Sequence, residues 1–126
     1  MSGAASAMPK RLPLVAVVSH VPLLSESLLA AFEGIAEVRP YPAGQEDLEA
    51  FLRSLSPDAV VVDRDLDADT AAEFAREADV PLVHVSLRTG GGRVLADGGW
   101  DEWVGLVSPE TIRNVVVGAL RRQEVR

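Results

Sequence analysis

The sequence predicts an α/β domain built on a parallel β-sheet, and three observations lead to this class. Short apolar runs recur along the first two-thirds of the chain, segments with apolar residues at helical spacing separate them, and the connections are short. Strands and helices therefore alternate, and right-handed crossovers then place helices on both faces of the sheet. The first four strands are predicted at 12–18, 35–39, 59–62 and 80–85.

The third strand is the centre of the predicted sheet. Ala59 to Val62 is a continuous apolar run, preceded by Pro57–Asp58 and followed directly by Asp63. A run without polar alternation is typical of a strand that is buried on both faces. In open α/β sheets ligands bind at the carboxyl ends of such strands, so Asp63 occupies a position where function is expected.

Four segments have apolar residues at helical spacing. The last one begins clearly, because Ser108 is a good N-cap residue and Pro109 suits the first helical turn. The acids between 65 and 70 suit a loop and the positive end of the third helix. The predicted buried positions are Leu24, Leu28, Ala31 and Phe32, then Leu48, Phe51, Leu52 and Leu55, then Ala71, Phe74, Ala75 and Ala78, and finally Ile112, Val115, Val116, Ala119 and Leu120.

The stretch 86–105 interrupts this pattern, because its glycines at 90–92 and 98–99 disfavour a helix. We expect a turn, a short extended piece from Arg93 to Ala96, another turn, and a fifth strand from Trp103 to Val107. No helix is then expected between the fourth and fifth strands. The three glycines at 90–92 predict a turn rather than a phosphate-binding loop, since the G-K-[ST] ending of a P-loop is absent.

The composition indicates one globular domain. The chain has 126 residues, 48% of them hydrophobic, and a net charge of −7, which argues against direct nucleic-acid binding. The lack of cysteine excludes disulfides and thiolate zinc sites. No apolar run reaches the roughly 20 residues of a membrane span and no signal peptide is evident, so we expect a cytoplasmic protein without membrane contact. Residues 1–11 are predicted to form a flexible leader, 12–122 the domain and 123–126 a tail.

Four segments carry a resemblance to a known family: V-V-S-H-V-P-L-L-S-E-S-L, S-P-D-A-V-V-V-D, V-P-L-V-H-V-S and V-G-L-V-S-P-E-T-I. In order and spacing they resemble the receiver domain of two-component response regulators, in the class with a LuxR-type output. The resemblance spans residues 12–120. It implies a flavodoxin-like fold, a five-stranded parallel sheet in the order 2-1-3-4-5, with the fourth helix here degenerate or missing.

The resemblance assigns roles to five polar positions. Asp63 falls on the family's phosphoacceptor, Ser86 on its conserved Ser/Thr, and Ser108 on its lysine. Ser19 and His20 fall on the acidic pair that holds Mg²⁺ in the family. Three further positions fall on the family's His, Pro and helix acid, namely Val21, Pro22 and Glu26.

The departures from the family pattern predict a pocket that does not support phosphoryl transfer. Mg²⁺ takes oxygen ligands, and the change of the acidic pair to Ser19 and His20 leaves Asp63 without its carboxylate partners. The cation that holds the phosphoryl oxygens is lost as well, because Lys10 is the only lysine in the chain. Most of the electrostatic stabilisation is then missing. We expect a pseudo-receiver that is not an enzyme, has no cofactor, and binds Mg²⁺ weakly or not at all.

Other chemistries of this pocket stay open as alternatives. Asp63 could be a true phosphoacceptor with an unusual site, or an acid that only bonds backbone N–H groups. His20 could form a pH-sensitive pair or a metal site with Asp63, but two ligands are few for zinc, and we favour a hydrogen bond in place of Mg²⁺. A hydrolase triad of Ser19, His20 and Asp63 is disfavoured, because no G-x-S-x-G elbow is present. The pocket of Ser19, His20, Asp63, Ser86 and Ser108 could also hold a metabolite beneath a glycine-rich lid.

Function is then expected to lie in protein–protein contacts. Trp100 and Trp103 fall in a loop-rich segment, where aromatic residues suit a core or an interface equally well. We expect a homodimer, or docking to a DNA-binding output domain or a partner protein in transcriptional regulation. His84 is expected to be a buried and hydrogen-bonded residue. The predicted interface comprises Trp103, Val104, Leu106, Ile112, Val116 and Val117.

Overall fold

Strands and helices alternate along most of the chain. The structure is a computed structural model, and it describes residues 11–86, 88, 90–103, 105 and 107–124. A pair of successive strands breaks the alternation before the last helix. The elements are β1 (Leu14–Ser19), α1 (Pro22–Ala31), β2 (Glu37–Pro42), α2 (Leu48–Leu55), β3 (Ala59–Val62), α3 (Asp65–Ala78), β4 (Leu82–Val85), β5 (Gly92–Ala96), β6 (Gly99–Trp103) and α4 (Pro109–Glu124).

One sheet of six strands runs through the described part of the domain in the order β2-β1-β3-β4-β5-β6. β1 pairs in parallel with β2 and β3, and β3 pairs in parallel with β4. β5 is antiparallel to both β4 and β6. The sheet is therefore mixed. The α/β class is confirmed, whereas the prediction of a five-stranded, wholly parallel sheet in the order 2-1-3-4-5 is wrong in strand number and direction.

The difference comes from a tight hairpin. The extended piece predicted from Arg93 to Ala96 is present within β5, and the turn predicted after it lies at Asp97 and Gly98, but the strand that directly follows this turn and the antiparallel pairing of β5 were not predicted. Asp97 and Gly98 have φ angles of 54° and 80°. Two successive positive φ angles are what a two-residue type I′ turn requires, and Asp-Gly is a preferred sequence for it. The turn joins β5 directly to β6 and makes these two strands antiparallel. A separate connection, in which the Ser86 N–H donates to the Gly91 carbonyl, returns the chain from β4 to the antiparallel β5. The hairpin stands in the place where the resemblance puts the fourth helix.

The predicted fifth strand from Trp103 to Val107 is misplaced. The last strand, β6, ends at Trp103, and it is antiparallel to its neighbour. Val104 and Leu106 lie outside the described residues. The glycines at 98 and 99 were interpreted as disfavouring a helix and as part of a turn, whereas only Gly98 belongs to the turn and Gly99 already begins β6.

Apolar layers cover both faces of the sheet. α1 and α4 pack on one face, where Leu28, Phe32, Ile112 and Val116 are fully buried. α2 and α3 pack on the other face, where Leu52 is fully buried. Removing this apolar surface from water on both faces is the main driving force for folding. It also explains why β1 and β3 are apolar without alternation.

α3 begins beside the end of β3 and earlier than the predicted stripe from Ala71. Asp65 and Asp67 lie in its first turn, where carboxylates interact favourably with the positive end of the helix dipole. The residue after the helix is Asp79, which adopts a left-handed conformation with φ of 56° and so ends the helix. The early start places Asp65 next to the carboxyl end of the sheet.

Candidate functional site

The carboxyl ends of β1 and β3 lie side by side because the two strands are parallel neighbours. Val18 pairs with Val62 in the register. The following residues, Ser19 and Asp63, therefore meet at the same edge of the sheet. The chain leaves β1 and β3 in opposite directions across the sheet, towards β2 and β4, and the crevice at such a reversal is where α/β proteins bind ligands.

The Asp63 carboxylate is held by three donors from the end of β1. Its side chain is only 1% exposed. Ser19 Oγ donates to Oδ2 at 2.6 Å, and the backbone N–H of His20 lies with its nitrogen 3.3 Å from both carboxylate oxygens. The His20 ring Nδ1 is 3.0 Å from Oδ1. Hydrogen bonds to a buried carboxylate offset the cost of removing its charge from water. Both oxygens are thus engaged by protein groups.

Ser19 links Asp63 to the turn that enters α1. Its hydroxyl oxygen accepts a 2.9 Å hydrogen bond from the N–H of Val21, and it lies 3.1 Å from the Val21 carbonyl oxygen. One hydroxyl proton serves one acceptor well, and the shorter contact to the ionised carboxylate is the stronger one. The strand end, the turn and Asp63 therefore form one connected network.

His20 covers the outer side of this network. Its side chain is 54% exposed, while its Nδ1 contacts the buried Asp63. An ionised carboxylate can only accept, so Nδ1 carries the proton in this contact. The predicted hydrogen bond between His20 and Asp63 is present. The imidazole occupies the position that the resemblance assigns to a metal-binding carboxylate.

Ser86 and Ser108 differ in their relation to Asp63. Ser86 lines the same cleft as Asp63, and its backbone N–H donates to the carbonyl of Gly91 at 3.0 Å. Ser108 does not line that cleft. Its hydroxyl accepts a 3.1 Å hydrogen bond from the N–H of Thr111 and so caps α4. The structure brings Ser19, His20, Asp63 and Ser86 to one site, and it uses Ser108 as a helix cap.

A cleft of about 440 Å³ opens over Asp63 at the carboxyl edge. Arg64 and Arg88 line it, and neither side chain forms an ion pair or hydrogen bond with another described residue. Clefts of this size accommodate small molecules. Its lining residues are His20, Asp63, Arg64, Asp65, Leu66, Val85, Ser86 and Arg88.

A second polar network surrounds His84, which is buried as predicted, with its side chain 10% exposed. Its Nε2 lies 3.1 Å from Oδ1 of Asp65, and Nε of Arg93 donates to its Nδ1 at 3.1 Å. Burial lowers the pKa of His84 and Arg93 lowers it further, while Asp65 and Asp63 act in the opposite direction. The contacts fit a neutral ring with its proton on Nε2.

The partners of His84 were not identified from the sequence. Arg93 is the cross-strand partner of His84 in the antiparallel pair of β4 and β5. That pairing depends on the connection from β4 to β5, where the Ser86 N–H donates to the Gly91 carbonyl, and the glycines at 90–92, from which a turn was predicted, were the available signal for it. Asp65 was interpreted as a loop or helix-start acid, which is correct for its backbone but does not reveal its contact with the neighbouring strand.

The two tryptophans of β6 face opposite layers. The guanidinium of Arg93 lies 4.1 Å from the ring centroid of Trp100, a cation–π geometry, and Trp100 packs against the layer of α2 and α3. Trp103 packs against the layer of α1 and α4. Its Nε1 is buried and has no hydrogen-bond partner within the described part of the chain.

Two of the six predicted interface residues are core residues. Ile112 and Val116 are completely buried against the sheet, so their side chains are not available to a partner. Trp103 and Val117 are partly buried at the margin of the same layer. Val104 and Leu106 lie outside the described residues. The surface-accessible part of the predicted patch therefore reduces, among the described residues, to Trp103 and Val117.

No group of three histidine or carboxylate side chains suited to a metal ion occurs among the described residues. In that part of the chain, no helix has both the length and the apolar character to cross a bilayer.

Comparison with protein-family models, with curated proteins and with solved structures finds no match for this chain. Function is therefore inferred from the geometry of the site.

Proposed function

We propose that this chain is a receiver-like regulatory domain that works without phosphorylation, as a non-catalytic signalling module. The observation that supports the proposal best is the engagement of the Asp63 carboxylate by Ser19 and His20. Phosphorylation of an aspartate needs an accessible carboxylate oxygen and Mg²⁺ held by several oxygen ligands. Here the side chains at the end of β1 donate hydrogen bonds to Asp63 instead of supplying carboxylates for a metal.

The position of Ser108 supports the same proposal. The resemblance places the family's lysine at Ser108, and that serine caps α4 through Thr111. The only lysine of the sequence is Lys10. A hydroxyl cannot neutralise the charge that develops on a transferring phosphoryl group as an ammonium does. The acidic pair that would hold Mg²⁺ is thus replaced by Ser19 and His20, and the lysine that would hold the phosphoryl group is replaced by Ser108.

The proposed mode of action is protein–protein contact. With Asp63 held between β1 and β3, the carboxyl edge has one stable arrangement, and the domain presents a fixed surface rather than a phosphorylation switch. That surface would act through homodimerisation, through a DNA-binding output domain, or through a separate partner in transcriptional regulation. Mg²⁺ has no role in this mode of action.

The proposal is tested by a phosphodonor experiment. The purified protein is incubated with acetyl phosphate and Mg²⁺, and its intact mass is measured, alongside the Asp63→Asn variant and a response regulator that has the complete acidic pair and lysine. We expect the positive control to gain a phosphoryl group and both forms of this protein to stay unmodified. A phosphoryl adduct on the wild type that is absent from Asp63→Asn would show a true phosphoacceptor.

The cleft over Asp63 favours a second candidate, a small-molecule-sensing domain. Its volume of about 440 Å³ suits a metabolite, and its lining combines Arg64 and Arg88 with Asp63 and Asp65. Opposite charges on one cleft suit a small polar molecule that carries both an acidic and a basic group. The test is thermal unfolding with a panel of amino acids and other small zwitterions. A saturable stabilisation that is lost in Arg88→Gln would favour the sensor.

A further inference from the structure

β6 is a sheet edge with one side unpaired among the described residues. It is the last strand in the sheet order and pairs only with β5. The backbone N–H and C=O groups that point away from β5 along Gly99–Trp103 therefore form a template on which another strand can pair. Addition of a peptide strand to such an edge is a common mode of protein recognition.

The opposite edge of the sheet is protected, in contrast. β2 contains Pro40 and Pro42, which have no backbone N–H, and proline on an edge strand prevents further pairing. β6 has the sequence G-W-D-E-W and contains no proline. Of the two edges that the structure describes, β6 is the one that can accept an added strand along its whole length.

The charges on β6 indicate which strand it would accept. Asp101 and Glu102 are exposed, and neither side chain forms an ion pair or a hydrogen bond with another described residue. Successive side chains of a strand point to opposite faces, so Asp101 shares a face with Trp103, and Glu102 shares the other with Trp100. Each face of the edge therefore carries one exposed carboxylate, which attracts basic side chains, while the Trp100 ring is already covered by the guanidinium of Arg93.

A groove beside β6 adds an independent observation. It has a volume of about 260 Å³ and lies between β6 and α4, with Val94, Val115 and Gly118 among its lining residues. Trp103 and Asp101 also line it. The buried Nε1 of Trp103 has no acceptor within the described residues, and an unpaired buried N–H is costly. The groove offers room for an apolar side chain of a partner next to the unpaired indole.

We propose that β6 binds an extended, basic segment of a partner protein as an added strand of the sheet. Adjacent basic residues of that segment lie opposite Asp101 and Glu102, and apolar residues flank them. A second copy of this chain is a poor occupant, because antiparallel pairing of two β6 strands would bring four carboxylates together. A basic, extended partner segment makes the proposed protein–protein function more specific. The biological role of β6 rests on that proposed function.

The test is an amide NMR titration of the full chain with the peptide Thr-Val-Lys-Lys-Val-Thr, blocked at both ends. We expect saturable shifts at Gly99–Trp103 and slower amide exchange there, since the added strand supplies acceptors for the outward N–H groups. The matched peptide Thr-Val-Glu-Glu-Val-Thr should bind at least about tenfold more weakly, because its charges repel those of β6. Shifts centred elsewhere, or equal binding of the two peptides, would overturn the proposal.

Charge-reversal variants separate strand pairing from general attraction to an acidic protein. Asp101→Lys combined with Glu102→Lys should weaken binding of the lysine peptide about tenfold. Glu33→Lys combined with Glu73→Lys changes the net charge equally at exposed sites away from β6 and should leave binding nearly unchanged. Equal losses in the two double variants would overturn the proposal, as would self-association through β6 in sedimentation experiments.

The two proposals fail separately. If the peptide does not bind and Asp63 gains no phosphoryl group, the proposed β6 binding surface is wrong and the proposal of a phosphorylation-independent domain stands. If Asp63 is phosphorylated and the peptide shifts are confined to β6, the proposed phosphorylation-independent function is wrong and the β6 binding surface stands.

Discussion

Ser19 Oγ and Asp63 Oδ2 lie 2.6 Å apart, although the two residues are 44 positions apart in the sequence. The parallel pairing of β1 with β3 brings them together. The contact places a hydrogen-bond donor, in place of a carboxylate, beside the acid at the end of the central strand. The same pairing brings the His20 backbone N–H and imidazole onto Asp63. The site is therefore a closed hydrogen-bonded network rather than an open set of oxygen ligands.

Ser19→Ala is expected to destabilise the fold. The variant removes the shortest hydrogen bond to a buried carboxylate and the acceptor for the Val21 N–H. We expect the free energy of unfolding in urea to fall by about 1 to 3 kcal/mol, the cost of leaving such groups underbonded. Ser54→Ala is the control, because Ser54 is exposed on α2. Equal effects of the two changes would contradict the role assigned to Ser19.

Asp63→Asn is expected to have a structural effect and no regulatory one. The amide loses the negative charge that accepts from the His20 backbone and ring, so we expect a destabilisation of about 1 to 3 kcal/mol. The state of association, measured by sedimentation, should stay that of the wild type. Asp63→Glu should also be destabilising, because the longer side chain does not fit the buried site. A change of association state produced by Glu and not by Asn would indicate a phosphorylation mimic.

Gly92→Ala tests the packing of the hairpin against β4. A Cβ at Gly92 would lie 2.5 Å from the carbonyl oxygen of His84 and 2.6 Å from Cη2 of Trp103. Because the backbone carbonyl of His84 cannot easily move away from the added Cβ, the free energy of unfolding should fall by about 1 to 3 kcal/mol. Gly118→Ala is the opposite case, because its Cβ would meet nothing within 4 Å. That helical change should stabilise by about 0.5 to 1 kcal/mol.

The stability of the fold is expected to decrease on the acid side through His84. Burial and Arg93 lower the pKa of His84 below the ordinary histidine value of 6.5. The unfolded chain therefore takes up a proton before the folded chain does. This contribution to stability is complete above pH 6.5 and is lost as the pH falls through the lowered pKa. Protonated Nδ1 would also oppose the donor of Arg93.

His84→Gln provides the check on that pH dependence. Glutamine can still accept from Arg93 and donate to Asp65 but does not titrate, so unfolding free energies measured in urea below pH 6.5 should fall less steeply than in the wild type. In Arg93→Gln the loss of the nearby positive charge should raise the pKa of His84, as read from its ring proton shifts. Identical acid slopes in wild type and His84→Gln would rule out this histidine as their source.

The elements in the first two-thirds of the chain, up to β4, could be predicted because their signals are local. The continuous run Ala59–Val62 is β3 with the predicted bounds, and Ser108 caps α4 as predicted. The extended piece at Arg93–Ala96 and the turn after it were predicted, but the positive φ angles of Asp97 and Gly98, which let β6 begin directly after the turn, were not used. The antiparallel direction of β5 against β4 depends on the preceding connection and was not predicted either.

The residues of the candidate site could be predicted where they lie at the carboxyl ends of neighbouring parallel strands. Ser19, His20 and Asp63 come together because parallel neighbours end at the same edge of the sheet. The network of His84 was not predictable, because Arg93 reaches it across an antiparallel pairing that the sequence pattern had not identified. Ser108 was assigned to the pocket by resemblance, whereas its hydroxyl bonds within its own helix turn.

The proposed function requires Asp63 to be a structural acid and not a phosphorylation switch. An amide NMR titration with Mg²⁺ and beryllofluoride, a stable analogue of the phosphoryl group, is the sharpest test of this role. We predict no saturable shifts at Asp63, Ser86 or Ser108 at millimolar Mg²⁺, with Ser19 and His20 still bonded to Asp63. Saturable shifts at Asp63 that spread to α4 would contradict the claim and would show a working switch built without the acidic pair and lysine.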